Sequence, residues 1–247
     1  QEGTFNGVTF SASCGTICNE MYDSANGRTG YYVFNAEGLR WIATTVNAGE
    51  NFAGKTIKLV DNIDLSGAEW MPIGYGKSRF SGNFDGQNKT ISGMTITEYN
   101  GQPQAALFGN IALTTSFKNV TIDNAQVVMP DDHTGDFYAA GLIGTYYGTA
   151  TIENVTIQNS TFSGNNKVAG LIAHDGVGSN LTISNTHILE CEIKSTNESD
   201  GGNVGGMIGL FQSAANGKYI ISGSSVKDCT IQGINATDSG KRANGEF

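Results

Sequence analysis

Apolar residues fall mostly in short alternating runs, and only one stretch carries them at helical spacing. Lys55-Thr56-Ile57-Lys58-Leu59-Val60 alternates, and Thr90-Ile91 and Thr95-Ile96 flank Ser92-Gly93-Met94 in the same style. Runs of this kind read as short strands with one face inward. The exception is Leu39, Ile42, Ala43 and Val46, whose spacing predicts a helix with Asn35 as N-cap and Gly49 as the stop.

The runs repeat. Ala106-Leu107-Phe108-Gly109 returns as Gly141-Leu142-Ile143-Gly144, Gly170-Leu171-Ile172-Ala173 and Gly206-Met207-Ile208-Gly209, at spacings of 35, 29 and 36 residues. A second anchor keeps step with it: Phe117 to Ile122, Ile152 to Ile157, Ile183 to Ile188 and Ile221 to Val226. Pieces this short cannot bury a face alone, so successive repeats must stack and share one core, which is a β-solenoid. Two apolar columns follow, Ile122/Ile157/Ile188/Val226 and Val127/Phe162/Ile193/Ile231. Between inward Ile152 and inward Val155 lie two residues, which breaks strand alternation and predicts a corner at Glu153-Asn154. Asn119, Asn154 and Asn185 are expected to stack there as a structural ladder, since Asn tolerates the left-handed backbone of a tight corner.

The expected organisation is an N-terminal segment (1–30), a capping helix region (31–54), a solenoid of about six coils (55–232) and a polar C-terminal tail (233–247) that leaves its end uncapped. The native protein is expected to continue past Phe247.

Composition narrows the class. The 34 Gly carry no Gly-X-Y period and Pro numbers only 3, which excludes collagen, while 38% hydrophobic residues with 15% charged argue for a folded chain. A net charge of −9 without a Lys or Arg cluster excludes a nucleic-acid site, and no apolar run is long enough to insert in a membrane. The start at Gln1 is that expected of a mature chain whose secretion signal has been removed.

On these residues the chain resembles the GLUG-motif family of secreted bacterial repeat proteins, whose Gly-Leu-hydrophobic-Gly core is spelled by Gly141-Leu142-Ile143-Gly144. Trp70-Met71-Pro72-Ile73-Gly74 and Phe80-Ser81-Gly82-Asn83-Phe84-Asp85-Gly86 are similar to the lead-in of such proteins from gut Bacteroidetes, and the resemblance covers roughly residues 31–232. It implies a right-handed parallel β-helix on a secreted or surface protein, adhesin-like and without catalytic residues. Zinc peptidases that cleave immunoglobulin A can share such repeats, but their His-Glu-x-x-His helix is absent here, so this segment is expected to be at most an accessory piece of one.

Candidate chemistry is sparse. Asp131, Asp132, His133 and Asp136 cluster in one loop and His174-Asp175 follow in a later coil; a polysaccharide hydrolase or lyase would draw its carboxylates from the first group. No matched acidic column supports it, and a turn-forming loop is the expected role. No metal or cofactor is expected. Cys14 and Cys18 suit a loop disulfide; Cys191 and Cys229 share a column as either two buried thiols or a bridge, with parallel Cβ vectors weighing against the bridge. In Gly-Leu-Ile-Gly, adjacent apolar residues predict that one of two columns, Leu107/Leu142/Leu171/Met207 or Phe108/Ile143/Ile172/Ile208, faces outward. Tyr146 and Tyr147 in the adjoining turn are candidates for stacking on a sugar ring. The expected function is a non-catalytic, secreted or cell-surface solenoid binding a host surface protein or glycan through its lateral face; the alternatives are a polysaccharide-acting enzyme and a structural stalk.

Overall fold

The computed structural model describes residues 18–23, 27–98, 101–130, 134–176, 180–197, 202–212 and 217–233, together with two short paired strands at Thr4–Phe5 and Val8–Thr9. Strands from successive repeats pair in parallel, as expected of stacked coils. Three sheets wrap the core: a long one of 13 strands, a second of five from Thr95–Ile96 to Thr230–Gln232, and a third of four from Gln104–Ala105 to Asn203–Gly205. The fold is an all-β solenoid with a single helix, α1 (Ala36–Asn47), among the described residues.

The solenoid completes about four turns, fewer than the six expected. Residues 55–82 add Thr56–Leu59 and Ile63–Asp64 to the long sheet but no strand to the other two. Instead Trp70 to Gly74 runs as an irregular segment that pairs with the next coil only at an isolated bridge, Ile73 to Phe108, and is held besides by side chains. Trp70 Nε1 donates to the Leu107 carbonyl at 3.1 Å, Asn47 bonds Pro72, Gly74 and Tyr75, and the Arg40 guanidinium donates to the carbonyls of Leu65, Ala68 and Glu69. Strand pairing shrinks to single bonds where side chains of the helix satisfy part of the backbone directly.

Helix α1 starts where expected. Asn35 is extended, and its side chain accepts from the Gly38 N–H at 2.9 Å. The chain leaves the helix through Ala48 into Gly49, whose φ of 114° lies in the region that favours glycine. Leu39, Ile42, Ala43 and Val46 are buried in the main core and close that end of it. Beside the helix, strand Gly27–Val33 crosses the expected boundary at residue 30, pairing antiparallel with Cys18–Asp23 and parallel with Thr56–Leu59. Near this end the core is aromatic: the rings of Phe80, Phe84 and Phe117 lie within about 6 Å of their neighbours around Phe108. Farther on it is aliphatic, with Ile122, Ile157 and Ile188 in one fully buried column and Val127, Phe162 and Ile193 in another.

The corners obey one backbone rule. Asn119, Asn154 and Asn185 have φ of 56°, 53° and 46°, and Gly223 takes the same place in the last turn at 58°. Asn154 Nδ2 donates to Asn119 Oδ1 at 3.0 Å, and Asn119 Nδ2 donates to Asp85 Oδ1 at 3.1 Å. A second left-handed corner, at Asn124, Asn159, Glu190 and Asp228, is not marked by a uniform residue type in the sequence.

The Gly-Leu-Ile-Gly stretches correct the expectation of an outward apolar column. Leu107, Leu142 and Leu171 are buried, and so are Phe108, Ile143 and Ile172. The chain turns from the third sheet into the long sheet at this point, and the bend removes the alternation that would send neighbours to opposite faces. The first glycine faces the core: a Cβ on Gly141 would lie 2.7 Å from Ile157 Cδ1, and one on Gly170 would lie 2.6 Å from Ile188 Cγ2. The second faces backbone, with a Cβ on Gly144 falling 2.7 Å from the Gly109 carbonyl oxygen. Both glycines are therefore set by close approach of packed chain.

The cysteines follow the stacking as well. Cys191 and Cys229 are free thiols, which removes the bridged alternative for that pair. Cys229 Sγ instead accepts the Cys191 N–H at 3.4 Å and donates to the Lys227 carbonyl, while two coils earlier Ser160 Oγ accepts the Ala125 N–H and donates to the Gln158 carbonyl. The column needs a small polar side chain to satisfy an N–H at the corner, and thiol and hydroxyl both serve. Cys18 is disulfide-bonded, and Cys14 lies outside the described residues.

At the far end Phe211, Ile220, Ile221 and Val226 stand 40–50% exposed, and a cavity of about 530 Å³ opens between Met207, Ile208, Phe211, Val226 and Ile231.

Two outcomes are expected. In equilibrium chemical unfolding, Asn154→Ala should cost about 2–3 kcal/mol, of which about 1–2 reflects the left-handed backbone and about 1 the Asn119 bond. Asn154→Gly should recover the backbone part; equal losses for the two variants would contradict the corner rule. Thiol titration should find two free thiols in denaturant. In the folded chain Cys191 should react last, because burial lifts its pKa from 9.0 to about 11, leaving about 100-fold less thiolate.

Candidate functional site

The outer surface beside the corner between third and long sheets gathers groups scattered along the sequence. Tyr138 and Lys167 are paired residues of adjacent strands in the third sheet, Tyr138–Ala139 and Lys167–Ala169. Their pleat sends both side chains outward, and the Lys167 ammonium lies 4.1 Å from the centre of the Tyr138 ring. Tyr138 packs its ring against a small buried cluster of Ala106, Ala140 and Ala173, so short side chains beneath it make the seat. His174, from the long sheet, meets the edge of the same ring at 5.8 Å between centres.

Polar groups brace these rings. Asp136 accepts from Asn166 Nδ2 at 2.6 Å and from the Tyr138 hydroxyl at 3.3 Å; Lys167 donates to Asn166 Oδ1 at 2.7 Å. His174 Nε2 and Gln212 Oε1 are 2.8 Å apart. Burial, reinforced by the Asp136 charge and hydrogen bond, pushes the Tyr138 phenol up to about 12. It also lowers both the Lys167 ammonium and the His174 imidazole; the Gln212 bond opposes the shift at His174.

The band continues through Tyr147. This side chain is 36% exposed, its ring is covered by the Arg79 guanidinium at 4.3 Å, and beyond Arg79 a cavity of about 430 Å³ is lined by Asn51, Lys77, Ser78, Ser81 and Leu113. Arg79 thus joins the ring to the cavity.

Sequence candidates fare unequally. Of the two tyrosines expected to stack on a sugar, Tyr147 lies in the band, but Tyr146 is fully buried and corrects that expectation: the two are neighbours on a strand and face opposite sides. The Tyr146 hydroxyl lies beside Asp175 and Tyr219, and burial first, then the Asp175 charge, pushes it above the usual phenol range. Asp175 is also fully buried, accepting from the Tyr219 hydroxyl at 2.6 Å and from the Gln212 N–H. His174 and Asp175 therefore point to opposite sides and do not form a pair. Asp136 lies in the band as a brace, while Asp131, Asp132 and His133 lie outside the described residues. Asn119, Asn154 and Asn185 lie at a different corner. No group of three His, Cys, Asp or Glu side chains with metal-binding geometry occurs among the described residues.

Tyr138, Lys167 and Arg79 escape a search of the sequence, since 88 residues separate the last two. The available signal was Tyr138, Lys167 and Asn203 preceding each Gly-Leu-Ile-Gly unit at nearly the same offset, which places them side by side on one sheet.

No family model matches the chain. In an alignment 195 positions long that covers 73% of the chain, it is 30% identical to halomucin from Haloquadratum walsbyi, and it spans only 2% of that much longer protein. It is also similar to a crystal structure from Bacteroides ovatus, provisionally named an immunoglobulin A1 protease, with a TM-score of 0.47 and 18% identity over 87% of this chain and 81% of that one.

Proposed function

We propose that the protein is a non-catalytic, adhesin-like solenoid of secreted or cell-surface location that binds a glycan or host surface protein through its lateral face. The observation that carries this is the band from Tyr138 to Arg79, where aromatic rings, amides and cations from the third sheet, the long sheet and an adjoining loop line one outer corner of the solenoid. Aromatic faces with nearby hydrogen-bonding side chains suit the apolar faces and hydroxyls of a sugar ring.

Several features support the rest of the reading. Asp136 is engaged by Asn166 and Tyr138, as a brace would be. The close-packed glycines of Gly-Leu-Ile-Gly give physical grounds for grouping the chain with GLUG-type repeats, and the general preference of parallel crossovers makes its winding right-handed. The partial likeness to halomucin, a mucin by name, favours a location outside the cell.

A screen of immobilised glycans and matrix proteins should detect binding by the 247-residue chain, and Tyr147→Ala should weaken it about tenfold, equivalent to about 1.4 kcal/mol. The thermal midpoint should change little, because Tyr147 sits outside the core. Background signal across both panels, or binding indifferent to Tyr147→Ala, would reject the lateral face. Release of sugar products during the same incubations would favour the hydrolase or lyase alternative.

A further inference from the structure

Resting on the lateral-binding reading, we infer that the ligand of this band is an acidic saccharide, one whose sugar rings carry carboxylates or sulfate esters. The basis is a set of cations on this band that form no ion pair among the described residues. Lys167 is only 9% exposed, yet among the described residues its ammonium makes a single hydrogen bond, to Asn166. An ammonium has three donors, and a nearly buried one with donors unused is costly unless an acceptor arrives. Lys167 is held over Tyr138, so an oxyanion reaching it meets the ring as well.

Arg79 repeats the arrangement one step along the face. Its guanidinium stacks on Tyr147, leaving its planar fork of donors at the edge of the cavity that also holds Lys77, Asn51, Ser78 and Ser81. Among the described residues, no carboxylate forms an ion pair with Lys77, Arg79 or Lys167; Arg40, Lys58, Lys89 and Lys218 also form none, but the first three are the ones gathered at the aromatic band and its cavity. In a chain of net charge −9, three unpaired cations on one aromatic band form a local exception to the overall field. Asp136 is the opposing charge near Lys167, and its two oxygens are already engaged by Asn166 and Tyr138. The alternation of cation and ring matches an oligosaccharide with repeated anions: charge-assisted bonds hold the acids and ring faces hold the sugars.

The test uses the full 247-residue chain and four probes, namely an oligogalacturonate, its methyl-esterified form, a chondroitin sulfate oligosaccharide and its desulfated form. The two acidic probes separate carboxylate from sulfate ester as the source of the anion. At least one should bind about tenfold more tightly than its neutralised counterpart and lose affinity as salt rises. Lys167→Met, which keeps the apolar stem, and Arg79→Met should each weaken that binding about tenfold, while the remote Lys227→Met leaves it unchanged. Because Arg79 is exposed, its variant keeps the test valid if Lys167→Met fails to fold.

Equal binding of acidic and neutralised probes, unaffected by Arg79→Met, overturns the anion and leaves a saccharide-binding face. Binding only to a matrix protein, lost on Tyr147→Ala, overturns the saccharide and leaves the lateral face as a protein-docking surface. Absence of both kinds of binding overturns the two readings together.

Discussion

Each turn of the solenoid must set its side chains directly over those of the turn before, about 4.8 Å away. That spacing admits no independent choice of residue. An inward isoleucine requires an apolar neighbour above and below, and a corner that turns through a left-handed residue requires the same corner in the next coil. Ile122, Ile157 and Ile188 satisfy the first condition and Asn119, Asn154 and Asn185 the second. The glycines of the repeats arise in the same way, Gly141 and Gly170 where the core narrows against Ile157 and Ile188 and Gly144 where two backbones meet.

Stacking also explains how much of the fold was legible. Columns repeat, so the solenoid, its inward rows and the corner at Asn154 could be inferred from residue type and interval. The helix was legible for a different reason, since Asn35, Leu39, Ile42, Val46 and Gly49 combine capping with period. Interruptions of the repeat were harder. Residues 66–82 resemble another coil in their apolar content, but they pair with the next coil only through isolated bridges at Ile73 and Phe80, and Arg40 and Asn47 take up backbone groups between them. The Leu-Ile pair misled because strand alternation was applied across a bend.

The candidate site was less legible than the fold for the same physical reason. Core positions repeat because they touch their equivalents, whereas outward positions are released from that condition and can differ in every turn. Tyr138 and Lys167 occupy one outward column with unlike chemistry, and Arg79 reaches the band from a loop between strands. The repetitive interior thus supplies a stiff base on which an irregular surface can be assembled.

The direction of the hydrogen bonds carries a mechanical consequence. In all three sheets they run from coil to coil, along the stack. A force pulling the last turn away from helix α1 loads them in tension and opens one coil at a time, like a zipper. A tangential force on the lateral band acts instead along the strands, so that Tyr138 and Lys167 share the load with bonds on both sides of their sheet. Under shear flow, a contact made on the flank would therefore outlast one made at the end.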